Sequence, residues 1–545
     1  VPALVLFAFG LALRLLFVLA TPDGGAGWHI GFQGDAPVWQ DLAAKLAANV
    51  PDDALRLPLR PPAMQWLVAL LWNGDPAHVG LVRVVFVLLG AAVAPLVWWL
   101  LRAHVATRIA FTAAALCAAS SNLLLVSSGP HVEGLYLALV LCALLAQPAL
   151  ARPGIAGLAA ALGVGALHGL LCLVRAEHLL TAALLLALAR PAGAAWRTLG
   201  IAALAMATAI VPWQLHANAL VDAYNAGSPD GPPPLPRAVV PWDDDAVAEV
   251  RTLPSFQQVP VFAFVGDTVR TRGGTRVRSA DLDVVREAYG CWPEPLPHAF
   301  VALYGGLNFW LGNTAEADGG FSRAALDRPP PLAGGDAKYP PGLRSVLPRG
   351  AIAFSYPPHL DAVVHGTARG FAEIASDPLG AAARVARKLW HAAEGATGGA
   401  GGYALPIGLS GVRREVDFVT ATGVGANAWR ALVLLAAAAG LWSLRAVRAL
   451  WPLYAFALSK LLVVAAVFGY ARHGALCAPL VALGLAAVVD RVLPHRRWLA
   501  PLALGLLLAL EILRRTLGAT AVVDGHPLDA PLPPQDFQTR TIAFH

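Results

Sequence analysis

Charge is scarce in this chain of 545 residues: only 14% are Asp, Glu, Lys or Arg, against about 25% in soluble domains. That deficit excludes an ordinary water-soluble globular class. Cysteine is sparse too. Cys117, Cys142, Cys172, Cys291 and Cys477 are odd in number and form no CxxC pair, which argues against a disulfide framework or a zinc site. No GxxxxGK[ST] loop occurs, so a cytoplasmic nucleotide site of that kind is not expected. No repeat of fixed period is visible. The formal charge of +6 comes largely from Arg in short loops, a topology signal and not a nucleic-acid surface.

Apolar sequence is what the chain has in excess: 57% of residues are hydrophobic and the mean hydropathy is +0.60. These residues come in blocks, and runs of about 20 apolar residues are membrane-span candidates. Eleven spans are expected, near 1–20, 79–101, 108–127, 132–150, 155–174, 177–190, 198–216, 427–444, 452–470, 475–489 and 499–513. The first contains Arg14 and lacks a small-residue cleavage pattern after it, so it reads as a retained span. Arg102, Arg108, Arg152, Arg190, Arg197, Arg445, Arg448, Arg491, Arg496 and Arg497 all fall on one side. The positive-inside rule makes that side cytoplasmic.

Four parts are thus expected. Residues 1–216 form an N-terminal membrane module that includes the first outer loop, 21–78. Residues 217–426 form a Pro- and Gly-rich outer domain, 427–513 the C-terminal spans, and 514–545 an outer tail. The outer domain holds one helix-like stretch, from His359 to Gly395.

The candidate chemistry lies at outer span ends. In "GFQGDAPVWQDLAAKLA", Asp35 is either a helix N-cap or an exposed acid free to act. In "LRPPAMQWLVALLW", Arg60 precedes two prolines and a Trp-bearing amphipathic helix. Such a helix suits the headgroup layer, where a guanidinium matches phosphate oxygens. Glu133 opens the fourth span beside Ser127, Ser128 and His131. It is either a snorkelling edge residue or one of two carboxylates, with Asp35, that share a divalent cation or divide base and metal roles. Arg175 and Glu177 interrupt an apolar run, as a local structural pair or a functional one. Arg14, within the first span, is read the same way. Arg472 and His473 sit on the outer side, against the positive-inside trend, and an anionic ligand is the natural reason.

In their order these motifs resemble the GT-C superfamily of membrane glycosyltransferases, in particular bacterial relatives of protein O-mannosyltransferases and of lipid A aminoarabinose transferase. "GDAPVWQDLAAKLA" resembles the family's first-loop acidic motif, "LRPPAMQWLVALLW" its basic-Pro-Pro motif and "SSGPHVEGLYLALVLCALLA" its Ser/Thr-acid segment. "LVRAEHLL", "IVPWQLHANAL", "YGGLNFWLGNTAEADGGF", "IASDPLGAAARVARKLWHAAEG" and "YARHGALCAPLVAL" resemble later motifs, so residues 1–490 are covered in order. His216 and His473 depart from the pattern.

The resemblance implies a polytopic α-helical GT-C fold with about eleven transmembrane helices, an interfacial helix pair in the first loop and a large outer α/β or mixed domain. It implies transfer of a sugar from a polyprenyl-phosphate donor to an acceptor (protein, lipid or glycan) on the outer face of a bacterial cytoplasmic membrane, with inversion. Asp35 takes the catalytic position. Arg60, Arg175, Arg472, His473 and Arg14 are the expected donor-phosphate contacts, Glu133 the metal ligand or second acid, and Asn313 and Lys388 the substrate-domain residues. A divalent metal is an open cofactor. A lipid-linked-sugar flippase, or an inactive scaffold of the same fold, are the alternatives.

Overall fold

The computed structural model describes residues 1–20, 36–48, 57–72, 79–127, 129–227, 233–320, 356–397 and 424–492, with short pieces elsewhere. They are mostly helical and fall into two compact units. The first comprises Val1–Asn49, Pro61–Val211 and Val385–Leu532, the second Val50–Arg60, Pro212–Arg384 and Pro533–His545.

The chain begins with α1 (Pro2–Ala20), α2 (Ala36–Ala47), α3 (Ala63–Leu71), α4 (Val79–Leu101) and α5 (Thr107–Ala119). It continues through α6 (Ser121–Val126), α7 (Val132–Ala146), α8 (Gly154–Val174), α9 (His178–Ala189) and α10 (Trp196–Ala226). The expected first-loop helix pair is present: α2 and α3 pack together, with Trp39, Leu42, Ala43, Met64 and Val68 all buried. The span expected over 108–127 is broken. Ser120 adopts an extended backbone and accepts a hydrogen bond from the Leu123 N–H at 3.4 Å, so it ends α5 and caps α6. The seventh span does not stop at 216 but runs on to Ala226 through Pro212.

Helices α8 and α10 approach closely. A Cβ on Gly165 would lie 2.2 Å from the Ala202 carbonyl oxygen, and one on Gly169 would lie 2.5 Å from the Ala209 Cβ. Small residues four apart let membrane helices touch backbone to backbone.

The second unit contains α11 (Asp244–Arg251), α12 (Ser255–Thr271), α13 (Asp283–Tyr289), α14 (Tyr304–Leu311), α15 (Pro357–Val364) and α16 (Gly366–Ser376). Val261, Val265 and Val269 recur at helical spacing on α12 and bury against Val250, Leu282, Val285 and Tyr289. Trp242 stacks on Phe262 with ring centroids 4.1 Å apart. An α/β or mixed domain was the expectation. Among the described residues this unit is helical, with a single isolated bridge between Trp242 and Val277.

The chain returns through α17 (Pro378–Ala396), α18 (Val424–Leu444), α19 (Trp451–Ala466), α20 (Ala471–Ala475) and α21 (Ala478–Val492). The helical stretch expected from His359 is thus three helices, and the break at Asp377 is a cap, its carboxylate accepting from the Gly380 N–H at 2.9 Å. The span expected at 499–513 and most of the 514–545 tail lie outside the described residues.

Among the described residues six helices are long and apolar enough to cross a membrane: Gly80–Leu101, Val132–Ala151, Gly154–Val174, Trp196–Ala226, Asn427–Leu444 and Arg448–Ala466. Pro2–Leu15, Thr107–Ala119 and His178–Ala189 are shorter apolar helices. The chain is a multi-pass helical membrane protein.

Candidate active site

The first unit gathers the charges that its apolar helices otherwise exclude. Glu133 stands in the first turn of α7, where the helix dipole favours an acid. Arg175 caps the C-terminus of α8 and Glu177 the N-terminus of α9, again the ends that suit each sign. The tight turn between them makes an ion pair from the Arg175 Nε to the Glu177 Oε1. The Arg175 Nη1 donates to the Glu133 Oε1 at 2.7 Å.

Two more groups approach the same Glu133 oxygen, the Arg472 Nε and the His473 Nε2, each at 3.8 Å. Both belong to the short helix α20. Burial, with Arg175 and Arg472 close by, pushes the His473 imidazole down to about 3, so it stands neutral there.

Lys460, on α19, completes the cluster and was not anticipated. It is 3% exposed, and its Nζ lies 3.9 Å from the Glu177 Oε1 and 4.6 Å from the centre of the Tyr136 ring. Arg175 lies over the same ring at 5.8 Å. Beneath it runs a buried polar chain. The Tyr136 hydroxyl and the His178 Nδ1 are 2.7 Å apart, and the His178 Nε2 and His168 Nδ1 are 2.9 Å apart. A lysine or histidine inside an apolar span is the signal that could have found them.

Arg175, Arg472 and Lys460 against Glu133 and Glu177 leave the cluster one positive charge in excess. Among the described residues the buried Lys460 Nζ and Glu133 Oε2 have no hydrogen-bond partner. An ammonium with donors unspent, in low dielectric, favours an anionic acceptor. The Arg175 and Arg472 guanidiniums beside Glu133 already neutralise its carboxylate and disfavour a second cation there. Among the described residues no group of three or more His, Cys, Asp or Glu side chains could hold a metal ion.

The other expected site residues fall elsewhere. Asp35 and Ser128 lie outside the described residues. Arg14 is 1% exposed; its Nε donates to the Ser127 hydroxyl at 2.7 Å and its Nη1 to the Gly10 carbonyl at 3.0 Å. Arg60 and Asn313 belong to the second unit. There the Arg60 guanidinium lies over the Tyr304 ring at 5.6 Å. The Asn313 amide bonds back to the Phe309 carbonyl at 2.6 Å, which closes the turn after α14.

Lys388 belongs to the first unit. It is buried, and its Nζ donates to the Ala465 carbonyl at 3.0 Å, at the C-terminus of α19. Its helix presses on the segment that carries Arg472. A Cβ on Gly474 would lie 1.6 Å from the Ala392 carbonyl oxygen, and one on Gly395 the same distance from that of Ala471. The geometry of Lys388 is that of a strut under α20.

No family model matches the chain, and no curated protein does. Among solved structures the chain is similar to the oligosaccharyltransferase AglB from Archaeoglobus fulgidus, in complex with an inhibitory peptide and a dolichol-phosphate. That likeness has 14% identity and a TM-score of 0.43 over 94% of this chain. The apo form of the Archaeoglobus fulgidus oligosaccharyltransferase gives the same values. The chain spans about half, 55%, of the length of these proteins. ArnT from Cupriavidus metallidurans, bound to undecaprenyl phosphate, is similar at 13% identity and a TM-score of 0.30, over 89% of this chain and 77% of that one. AglB and ArnT are both membrane glycosyltransferases of the GT-C superfamily, the class that the motif series resembles.

Proposed function

We propose that this protein is a glycosyltransferase that takes a sugar from a polyprenyl-phosphate donor and passes it, with inversion, to an acceptor on the extracytoplasmic face of a bacterial cytoplasmic membrane. The observation that carries the reading is the cationic cluster of buried Lys460 and half-buried Arg175 and Arg472, which among the described residues holds two acids, Glu133 and Glu177. A lipid phosphate is an anion delivered at membrane depth, and a partly dehydrated arginine fork is suited to receive it.

In the reaction, the Asp35 carboxylate accepts the proton of an acceptor O–H or N–H as that atom attacks the anomeric carbon. The new glycosidic bond forms as the bond from the anomeric carbon to the phosphate oxygen breaks, and polyprenyl phosphate leaves with the electron pair. Charge grows on the departing phosphate, and Arg175, Arg472 and Lys460 stabilise it most at that moment. A phosphate needs little protonation to leave. Arg60 and Arg14 are further proposed phosphate contacts, and the hexose or pentose carried is left to the pocket.

Purified protein incubated with radiolabelled polyprenyl-phosphate sugars and cell-envelope fractions tests this. Donor is expected to be consumed, and Asp35→Asn to stop consumption while the protein stays monodisperse. Full activity in Asp35→Asn, or no consumption by the wild type of any donor, would overturn the reading. A lipid-linked-sugar transporter also draws on Lys460 inside a span; it predicts donor binding and movement with the sugar–phosphate bond intact. Orientation is checked by a cysteine placed near residue 330, which is expected to react with an impermeant reagent from outside.

A further inference from the structure

The motif "VPWQLHANAL" found no place in the chemistry above, yet its residues grip one strained piece of chain. Val301 has φ +62 and is fully buried. A β-branched residue rarely adopts this left-handed conformation, because its Cβ crowds the backbone. Such strain persists only where surrounding bonds over-determine it.

Those bonds come from one stripe of α10. The Gln214 side-chain amide grips the chain on both sides of Phe300, up to the strained residue: its Nε2 donates to the Ala299 carbonyl, and its Oε1 accepts from the Val301 N–H, each at 2.9 Å. The Trp213 Nε1 donates to the Val301 carbonyl at 2.9 Å. Further along, the Asn225 amide makes the same two-sided grip on Leu296, donating to its carbonyl and accepting from its N–H, both at 3.0 Å. Between them the His298 Nε2 meets the Asp222 Oδ1 at 2.8 Å. Asn218 completes the stripe by accepting from the Gln214 Nε2 at 2.8 Å. Residues 214, 218, 222 and 225 recur at helical spacing, so one face of α10 binds the irregular chain over 296–301.

The residues just after Val301 tie this grip to Arg60. The Leu303 N–H donates to the Pro58 carbonyl at 2.9 Å. Tyr304 opens α14, and its ring lies under the Arg60 guanidinium. Pro58 and Tyr304 thus hold Arg60 from its backbone and from its charged end, and both depend on the course of the chain through Val301.

We propose that Gln214, Trp213 and the left-handed Val301 form a positioning clamp that sets the seat of Arg60. The clamp's consequence for substrate rests on the reading of Arg60 as a donor-phosphate contact; its existence does not. Without the Gln214 bonds Val301 relaxes toward extended backbone, the Leu303–Pro58 bond is lost, and the Arg60 seat shifts. A glycine at 301 has no such drive, since the left-handed region costs it nothing.

The test is a cycle of full-length variants: wild type, Gln214→Ala, Val301→Gly and the pair. Hydrogen exchange of peptides covering residues 57–60 and 299–304 reads the clamp with no reference to activity. Gln214→Ala is expected to speed exchange there by about threefold to tenfold, the scale of one or two lost hydrogen bonds. In the Val301→Gly background the same change is expected to do markedly less. Equal effects in both backgrounds, or no effect of Gln214→Ala, would overturn the clamp. Donor kinetics are read alongside: Gln214→Ala is expected to raise KM for the polyprenyl-phosphate sugar by about threefold to tenfold with kcat nearly unchanged. An intact exchange result with unaltered KM would keep the clamp and sink the role of Arg60. A wild type that consumes no donor would sink the glycosyltransferase reading alone.

Discussion

The two units hold their charges differently. In the second, several ion pairs are exposed and separate: Arg270 with Asp267, Arg272 with Glu287 and Arg286 with Asp283 all keep 41–65% of their side-chain surface in solvent, and among the described residues the one acid with two partners, Asp361, pairs with His365 and Arg369. Exposed pairs contribute about 0–1 kcal/mol each. In the first unit one group of charges is buried or half-buried and shared. One Glu133 oxygen serves Arg175, Arg472 and His473, and one Glu177 oxygen serves Arg175 and Lys460. Sharing of that sort is a poor way to gain stability, because desolvation takes back most of the attraction. It is a good way to keep a cationic surplus fixed at membrane depth. The contrast says where function should be sought.

The largest expected effect breaks the shared network at its centre. Glu133→Gln leaves Arg175 and Arg472 facing each other without their common acid, and is expected to cost about 3–5 kcal/mol of stability. Unfolding followed by chemical denaturation in detergent checks this, and a loss below about 1 kcal/mol would place Glu133 among ordinary surface pairs. Lys460→Met sharpens the contrast. Because Glu177 keeps its pair with Arg175 and the Lys460 Nζ gives up no hydrogen bond, stability is expected to change little, while donor KM rises by about tenfold or more, since a charged hydrogen bond to the donor is lost. A Met variant with unchanged kinetics would remove Lys460 from the site.

A smaller effect comes from His473. Its folded value, about 3, lies below the ordinary 6.5 of an imidazole. The unfolded state therefore binds the proton first, and stability is expected to fall as pH drops from about 6.5 toward 3. His473→Gln is expected to flatten part of that fall in a thermal-shift series across pH; a slope identical to wild type would contradict it. The smallest effect belongs to the second unit. Arg272→Ala is expected to change stability by less than about 0.5 kcal/mol and donor kinetics not at all.

Much of the cluster was legible in the sequence because polar residues are conspicuous against apolar blocks. Glu133, Arg175, Glu177, Arg472 and His473 each mark a span end, and the structure brings these five together. Lys460 escaped notice inside "WPLYAFALSKLLVVAA" because the run around it reads as an uninterrupted span. The Tyr136–His178–His168 chain escaped because its members are distant in sequence and each is unremarkable alone. Helix positions followed from hydropathy, but ends did not. Ser120 broke one span by capping, and α10 outran its expected end because its polar stripe has the 296–301 segment to bind. The motif marked Lys388 as a substrate-domain residue; its bond to the Ala465 carbonyl at the C-terminus of α19 was not legible, because the two are far apart in sequence.

The cations proposed to receive a lipid phosphate are Lys460, Arg175 and Arg472 of the first unit. Equilibrium binding of undecaprenyl phosphate to the purified wild type, to Arg472→Gln and to Arg272→Gln, each verified as folded and monodisperse, tests that role most directly. The account predicts that wild type and Arg272→Gln bind alike and that Arg472→Gln binds at least about tenfold more weakly, the scale of one charged hydrogen bond. A wild type that does not bind, or an Arg472→Gln protein that binds as wild type does, would contradict it.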